Sequence, residues 1–424
     1  MRLDDTAPRT LTPGGHPTDP EDTPQRTGIS GPESTRLRPG TTGPEDVPRR
    51  PGTTGSEDTR QRRGTAGARS PGSIAGAVLR WLTLGAAVAW TAFVVLHHLL
   101  SGRFWLWLLP DLLPPVVYLA APLVLLAAAR LAGRSRRWCR ALAVAALVLG
   151  AGHSGTNLGA LTGNGGPVPA GALRLVSWNT EYWAQGERPE RFYGYLKSRH
   201  ADVYLLQEYM HWENGAPRRI DDLSRLRREF PGYHIAVQGE LVTLSRFPIV
   251  ATPRVGPARA LGPTSPWRSV FDLSKVLRTD LRVGASVLTA YNVHIPAQYK
   301  LGDDPLTPRF YTDLYGRDSA RRAQFGGLRF DIGANRNPVV VAGDFNTTAA
   351  MGDLRGLPAR LSDAGHAAGS LYPASWPAAG PTLWRLDWTF TAGPQVHRYR
   401  FLDPQGMSDH HAQEVLISLE PPRS

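Results

Sequence analysis

The alternation of apolar and polar positions changes character twice along the chain. Residues 1–72 carry almost no Leu, Ile, Val or aromatic side chains. Such a segment cannot bury enough apolar surface to offset chain entropy, so it is expected to be disordered. Within it a polar unit recurs as GPESTRLRPGTT (31–42), GPEDVPRRPGTT (43–54) and GSEDTRQRRGTA (55–66). The unit is too short and too polar for a packed structural repeat and reads as a solvated linker. From 73 to 161 apolar residues become nearly continuous. A membrane span needs ~20 of them, which predicts three transmembrane helices at about 81–100, 104–129 and 141–160. Pro114, Pro115, Pro122 and Asp111 fall inside the second segment, so that helix should be kinked or begin after Leu113. A buried soluble bundle would show a polar face that these segments lack. The polar residues ahead of the first apolar run argue against a signal peptide. Residues 162–171 form a short linker.

From 172 to 424, short β-branched runs alternate with amphipathic segments and turn clusters, an α/β alternation. Strands are predicted at 173–178, 202–207, 233–237, 241–245, 287–293, 338–343, 386–391, 396–402 and 414–420, and helices at 188–199, 220–230 and 317–330. Phe192, Tyr195 and Leu196 share one helical face and are assigned to the core.

Charge orients the apolar region. The formal net charge is +12, and Arg supplies nearly all the cations because Lys197, Lys275 and Lys300 are the only lysines. Half of that excess lies in residues 73–172, where Arg130, Arg134, Arg136, Arg137 and Arg140 cluster between the second and third apolar segments. Positive loops stay in the cytoplasm, so the tail is expected inside, in a plasma-membrane protein, and everything after about residue 165 outside. The remaining domain is only modestly basic, weak grounds for a nucleic-acid partner. The single cysteine, Cys139, rules out an intrachain disulfide and a cysteine-based zinc site.

The chemistry shows in where polar residues fall. Asn179 and Glu181 follow the first predicted strand of the C-terminal region and Glu208 follows the second. His294 follows VLTAYNV, Asp344 and Asn346 follow PVVVAG, and Asp409 and His410 precede the last strand. Taken singly, each is as well explained as a turn former or a helix cap. Strand ends on one edge of a sandwich converge, so together these groups can line one pocket.

SWNTEYW, LLQEY, YNVHIP, VVVAGDFNTT, RLDWTF and MSDHH resemble, in order and spacing, the endonuclease/exonuclease/phosphatase superfamily, over nearly all of residues 172–420. The resemblance implies an α+β fold, a four-layer α/β sandwich of two packed mixed β-sheets flanked by helices. It also implies a metal-dependent hydrolase of phosphoric esters. Oxygen ligands without clustered cysteine favour a hard divalent cation, Mg2+ with Mn2+ as the alternative. Glu208 is the foremost expected metal ligand, with Asn179 beside it and Glu181 and Asp409 completing the inner or outer shell. In-line attack on a phosphate ester needs a base or positioning group on the nucleophile side. Asp344 is the candidate there, and Asn346 would hold a phosphoryl oxygen or the attacking water. His410 would touch a nonbridging oxygen or transfer a proton, oriented by Asp387, while His294 resembles the family's second histidine, a general acid for the leaving group. His411 points the other way and is a bystander. Arg321 and Gln324 echo the family as structural residues, and Trp376, Trp384 and Trp388 read as core packing or an aromatic rim.

The shared catalytic set does not choose a substrate. A phosphohydrolase tethered close outside a bilayer meets lipid-linked phosphates and diphosphates at high effective concentration, so an envelope lipid phosphate is the expected substrate. The arrangement resembles bacterial membrane members of the family linked to glycopeptide resistance and envelope lipid metabolism. The alternatives are an anchored extracellular nuclease, whose strand-gripping loop would be 252–282 with Arg254, Arg259, Arg268, Lys275 and Arg278, and a noncatalytic membrane scaffold.

Overall fold

A computed structural model describes residues 71–161, 167–300 and 302–419. The repeats of the tail and half of the expected linker lie outside those residues. The first apolar segment is one helix, Pro71–Leu100, that presents Trp81, Leu82, Val88 and Leu99 outward. The second differs from the expected 104–129. Prolines at 110, 114 and 115 remove backbone donors, so residues 105–112 make two short 3-10 turns and the helix begins only at Val117, running to Ala128. The chain reverses near Gly133 (φ 50°, ψ −120°), and a third helix runs Arg136–Gly150. Two stretches, Ile74–Leu100 and Val117–His153, are long and apolar enough to cross a membrane. The Gly133 reversal divides the second of them.

The rest is a sandwich of two mixed sheets. In spatial order the first holds Gln395–Leu402, Ala412–Ser418, Leu173–Asn179, Val203–Gln207, Leu241–Ser245 and His234–Gln238. The second holds Ser362–Asp363, Asp387–Ala392, Val339–Asp344, Ser286–His294, Val276–Val283 and Ile249–Ala251. Each has a single parallel pair, Leu173–Asn179 with Val203–Gln207 and Val339–Asp344 with Ser286–His294. The two sheets therefore repeat the same pairing pattern.

Three apolar layers hold this together. Leu175, Val203, Leu205, Leu288, Val340, Ala342 and Val415 fill the space between the sheets. Phe192, Leu196 and Leu226, from helices Pro189–Ser198 and Leu223–Glu229, cover the outer face of the first sheet. Phe325, Leu328 and Ile332 of helix Pro308–Ala334 cover the second. Strands buried on both faces read as continuous apolar runs, which is why VVVA and VYLL were visible in the sequence. The sheets are also pinned through polar groups. Asn292 Nδ2 donates to Leu206 O and Val242 O, both at 2.9 Å, and Gln207 Nε2 donates to Asn292 Oδ1 at 2.6 Å. Buried and bonded across the interface, such groups fix the register of one sheet on the other.

Residues 252–282 are not a free basic loop. They contain a helix, Trp267–Leu273, and the strand Val276–Val283. Most of their cations are paired with carboxylates: Arg259 on Asp331, Arg268 on Asp272, Arg278 on Asp280 and Asp331, and Lys275 on Glu240, whereas Arg254 bonds the backbone at Leu261 O. A phosphate backbone would find fewer unpaired cations there than the sequence offers.

Candidate active site

Both parallel pairs end at the same edge of the sandwich. In the second sheet Asp344 lies in register between His294 on one side and Asp387 on the other. The strand can come this close to its neighbour because residue 343 is glycine: at φ 148°, a Cβ there would sit 1.9 Å from Val293 O. In the first sheet Asn179 and Gln207 end the parallel pair in register, and Glu208 follows. Glu208 and Asn346 adopt left-handed backbone, φ 62° and 45°. Glu181, Tyr182, Trp183 and Ala184 make a run of such residues, φ 47° to 66°. Left-handed residues other than glycine cost roughly 1–2 kcal/mol each, and such strain concentrates at functional sites. Here the turn aims the Tyr182 amide at Glu208 Oε2 (3.0 Å) and the Glu181 amide at Asn179 Oδ1 (3.1 Å).

Every nominated side chain falls into one contact network. Asn179 Nδ2 donates to Glu208 Oε1 at 3.0 Å and to Asp344 Oδ2 at 3.1 Å. His410 Nδ1 bonds Asp387 Oδ2 at 2.8 Å, and its Nε2 lies 3.7 Å from Asp344 Oδ2. His294 Nε2 lies 3.7 Å from the same oxygen and 3.9 Å from Glu208 Oε1. Asp409 Oδ1 is 3.8 Å from His410 Nε2, and its backbone amide donates to Glu181 Oε2 at 2.7 Å. Asn346 spends its side-chain amide on Ile295 O (3.0 Å) and Asp344 Oδ2 (3.2 Å), and its backbone amide binds Asp344 Oδ1 at 2.7 Å. It is placed to orient Asp344.

The neighbours fall out as readily. His411 turns its ring to Leu402 O. Arg321 is fully buried, its guanidinium bonded to Pro296 O, Asn346 O and Thr347 Oγ1, and Gln324 bonds Leu273 O. Trp388 stacks on Phe390 in the core.

Sequence reasoning missed Glu240 and gave Lys275 to a strand-gripping loop. Glu240 is completely buried, with Oε1 3.2 Å from His294 Nδ1, and the Lys275 ammonium closes on that same oxygen. The signal was present: Glu240 abuts an apolar strand, Leu241–Ser245, just as Glu208 does. Glu240 sits in the short turn between two antiparallel strands, where a polar residue is ordinary.

Burial and charge set the protonation. Burial disfavours the His410 cation, but the Asp387 carboxylate and then Asp344 outweigh it and hold the imidazole well above its ordinary pKa. Burial pushes the Glu208 carboxyl up, and the His294 charge pulls it back. For Glu240 burial is overcome by Lys275 and His294, and the carboxyl is lowered to about 2.

Among the described residues, Asp344, Asp387 and His410 offer ligand atoms within 4.8 Å of one another, close enough to surround a cation. Asp387 is already committed to His410 Nδ1, which suits that trio to handling a proton. The donor set around Glu208, Asn179 and Asp344 is carboxylate and amide oxygen, that of a hard divalent cation. Burial penalises the Glu208 charge, and a cation there would relieve that penalty.

A fold of two mixed sheets flanked by helices, with acidic and imidazole groups gathered at the strand ends, defines the class of protein. The sequence model of the Endonuclease/Exonuclease/phosphatase family matches residues 176–410, more than half of the chain, and the chain belongs to that family. Among curated proteins none matches. Similar solved structures include an endonuclease/exonuclease/phosphatase family protein from Leptotrichia buccalis, 16% identical, covering 58% of this chain and 100% of its own, with a TM-score of 0.41. Others are the mannosyl-6-phosphatase Bt3783 of Bacteroides thetaiotaomicron (15%, 58% and 99%, TM-score 0.40) and the human Nocturnin catalytic domain with bound sulfate (16%, 59% and 96%, TM-score 0.40).

Proposed function

We propose that the chain is a divalent-metal-dependent phosphoesterase, held at the outer face of a membrane by its apolar helices, that hydrolyses a lipid-linked phosphate ester or diphosphate. The observation that carries the reading is the convergence of two carboxylate-backed imidazoles on one oxygen, Asp344 Oδ2, beside Glu208 and Asn179. Mg2+ is the fitting cation: Glu208 and Asn179 would hold it, with Asp409 and Glu181 nearby. When bound it supplies positive charge against the phosphoryl oxygens. Asp344, oriented by Asn346, accepts the proton of the attacking water. His410, protonated and fixed by Asp387, donates from Nε2 to a nonbridging oxygen. His294 returns a proton to the leaving group.

The membrane placement rests on the two apolar stretches and on charge. The Gly133 reversal, with its arginines, lies against Arg80, whereas the far end of the first helix touches the catalytic domain at Ala350. The basic and catalytic parts thus occupy opposite ends of the helices, as an inside-positive anchor with an outer enzyme requires.

The test is a substrate panel on the full chain in lipid nanodiscs, with Mg2+ or with EDTA, offering phosphorylated lipids, bis(4-nitrophenyl) phosphate and plasmid DNA. Metal-dependent release of phosphate or headgroup from the lipids is the expected result. Salt-sensitive cleavage of DNA with the lipids untouched would replace the lipid reading with a nuclease.

A further inference from the structure

The catalytic domain does not hang from the helices on its linker; it is seated on them. His97, near the end of the first helix, accepts Trp107 Nε1 on Nδ1 (3.0 Å), so its other nitrogen carries the proton and donates to Ala350 O at 2.8 Å. Ser101 Oγ accepts the Gly352 amide at 2.8 Å, and Ser101 O accepts Arg355 Nη2 at 3.0 Å. The backbones meet so closely that a Cβ on Gly352 would lie 2.0 Å from Ser101 O. Leu108 packs on Phe310 and Leu314 of the long helix.

Two of these attachments lead straight into the site. Ala350 and Gly352 end the loop that begins with Asp344 and Asn346, and Arg321 grips the middle of that loop through Asn346 O and Thr347 Oγ1. On the other wall Trp384 Nε1 donates to Leu112 O at 3.0 Å. Trp384 packs edge-on against Trp376, centroids 5.6 Å apart, and Trp376 Nε1 donates to Asp409 Oδ2 at 2.8 Å. The same hairpin supplies Ala378 N to Asp409 O (2.7 Å) and Ser375 Oγ to the Asp387 amide (3.1 Å). The Asp409 side chain is 45% exposed, so packing alone does not fix it.

We propose that the connector from Ser101 to Leu113, with the end of the first helix, is a positioning element of the active site: it braces the Asn346 loop through His97 and Ser101, and Asp409 through Trp384 and Trp376. The proposal rests on the phosphoesterase reading for its kinetic consequence and on the contacts alone for its mechanical one. It makes the apolar region part of the enzyme and not merely its anchor.

The test uses the full chain in nanodiscs. Trp384→Phe keeps an aromatic ring and deletes the bond to Leu112. It should lower kcat on bis(4-nitrophenyl) phosphate about 3- to 10-fold at nearly constant KM, the range a single neutral hydrogen bond commands. It should also speed amide exchange in residues 405–412. Because Trp384 acts through Trp376, the double variant Trp376→Phe/Trp384→Phe should be no slower than Trp376→Phe alone. Independent losses that multiply, or exchange at 405–412 unchanged by Trp384→Phe, would overturn the brace on that wall. If Trp384→Phe does not fold, Ser101→Ala decides instead: it should speed exchange across 346–352 with the helices still protected, and unchanged exchange there would overturn the proposal. A parent chain that hydrolyses no phosphate ester would sink the phosphoesterase reading and leave exchange to decide the brace.

Discussion

The two imidazoles of the site are set up alike and backed differently. Each bridges the two sheets. His410 enters from the first sheet to meet Asp387 of the second, and His294 enters from the second to meet Glu240, which precedes a strand of the first. Both direct Nε2 at Asp344 Oδ2 from 3.7 Å. Asp387 gives its oxygen to His410 at 2.8 Å, whereas Glu240 shares Oε1 between His294 at 3.2 Å and the Lys275 ammonium. An unshared carboxylate secures a proton on its imidazole. A shared one orients the ring while a nearby cation opposes its charge. Both imidazoles are held above their ordinary pKa by their carboxylates, His410 well above it and His294 against the opposing Lys275 charge, so both can serve as proton donors while Asp344 accepts.

The comparison breaks most completely with His410→Ala, which should reduce metal-dependent hydrolysis by about a thousandfold or more, within the range ascribed to positioned acid–base groups. Asp344→Ala should match it, with circular dichroism and Tm showing both variants folded. Next comes Asp387→Asn. It removes the negative charge that raises the His410 pKa, so activity should fall about a hundredfold and the alkaline limb of the pH–rate profile should move to lower pH. Lys275→Met acts with the opposite sign. The Lys275 charge depresses the His294 pKa, so its removal should move the limb belonging to His294 to higher pH, with about a tenfold loss at most. If both variants shift their limbs the same way, the proposed asymmetry is wrong.

The smallest effect is on stability in acid. Glu240 is lowered from 4.5 to about 2 in the folded chain. A depressed carboxyl contributes stability that is fully present above the unfolded pKa and lost as pH falls through the folded one. Stability should therefore fall as pH drops from about 4.5 towards 2. Glu240→Gln should flatten that part of the denaturation curve, measured by urea titration at fixed pH. It also strands Lys275 in the interior, lowering stability at neutral pH.

Much of the sandwich could be read from the chain because its strands are buried on both faces and end in polar groups that apolar runs throw into relief. VVVAGD and VYLLQE are examples, and the strands predicted at 173–178 and 241–245 appear at Leu173–Asn179 and Leu241–Ser245. The strand Val276–Val283 was missed because Arg278, Asp280 and Arg282 break its apolar run, and Ile249–Ala251 because three residues are too few to show a period. Arg278 pairs with Asp280 two positions along its own strand and with Asp331 of the long helix, and the second contact is one that no local pattern displays.

By itself the sequence determined the order of the polar tail, apolar region and sandwich, and which carboxylates, amides and imidazoles terminate strands. Local propensity and burial periodicity act over a few neighbouring residues, and these features are written at that range. Tertiary structure alone decided that Glu240 and Lys275 join the site, that most cations of the stretch after Thr252 are paired, and that Leu112 and Ser101 brace catalytic loops more than 230 positions away in the chain. Each of these depends on where two distant backbones meet, a consequence of packing whole layers against one another and not of any segment's own preference.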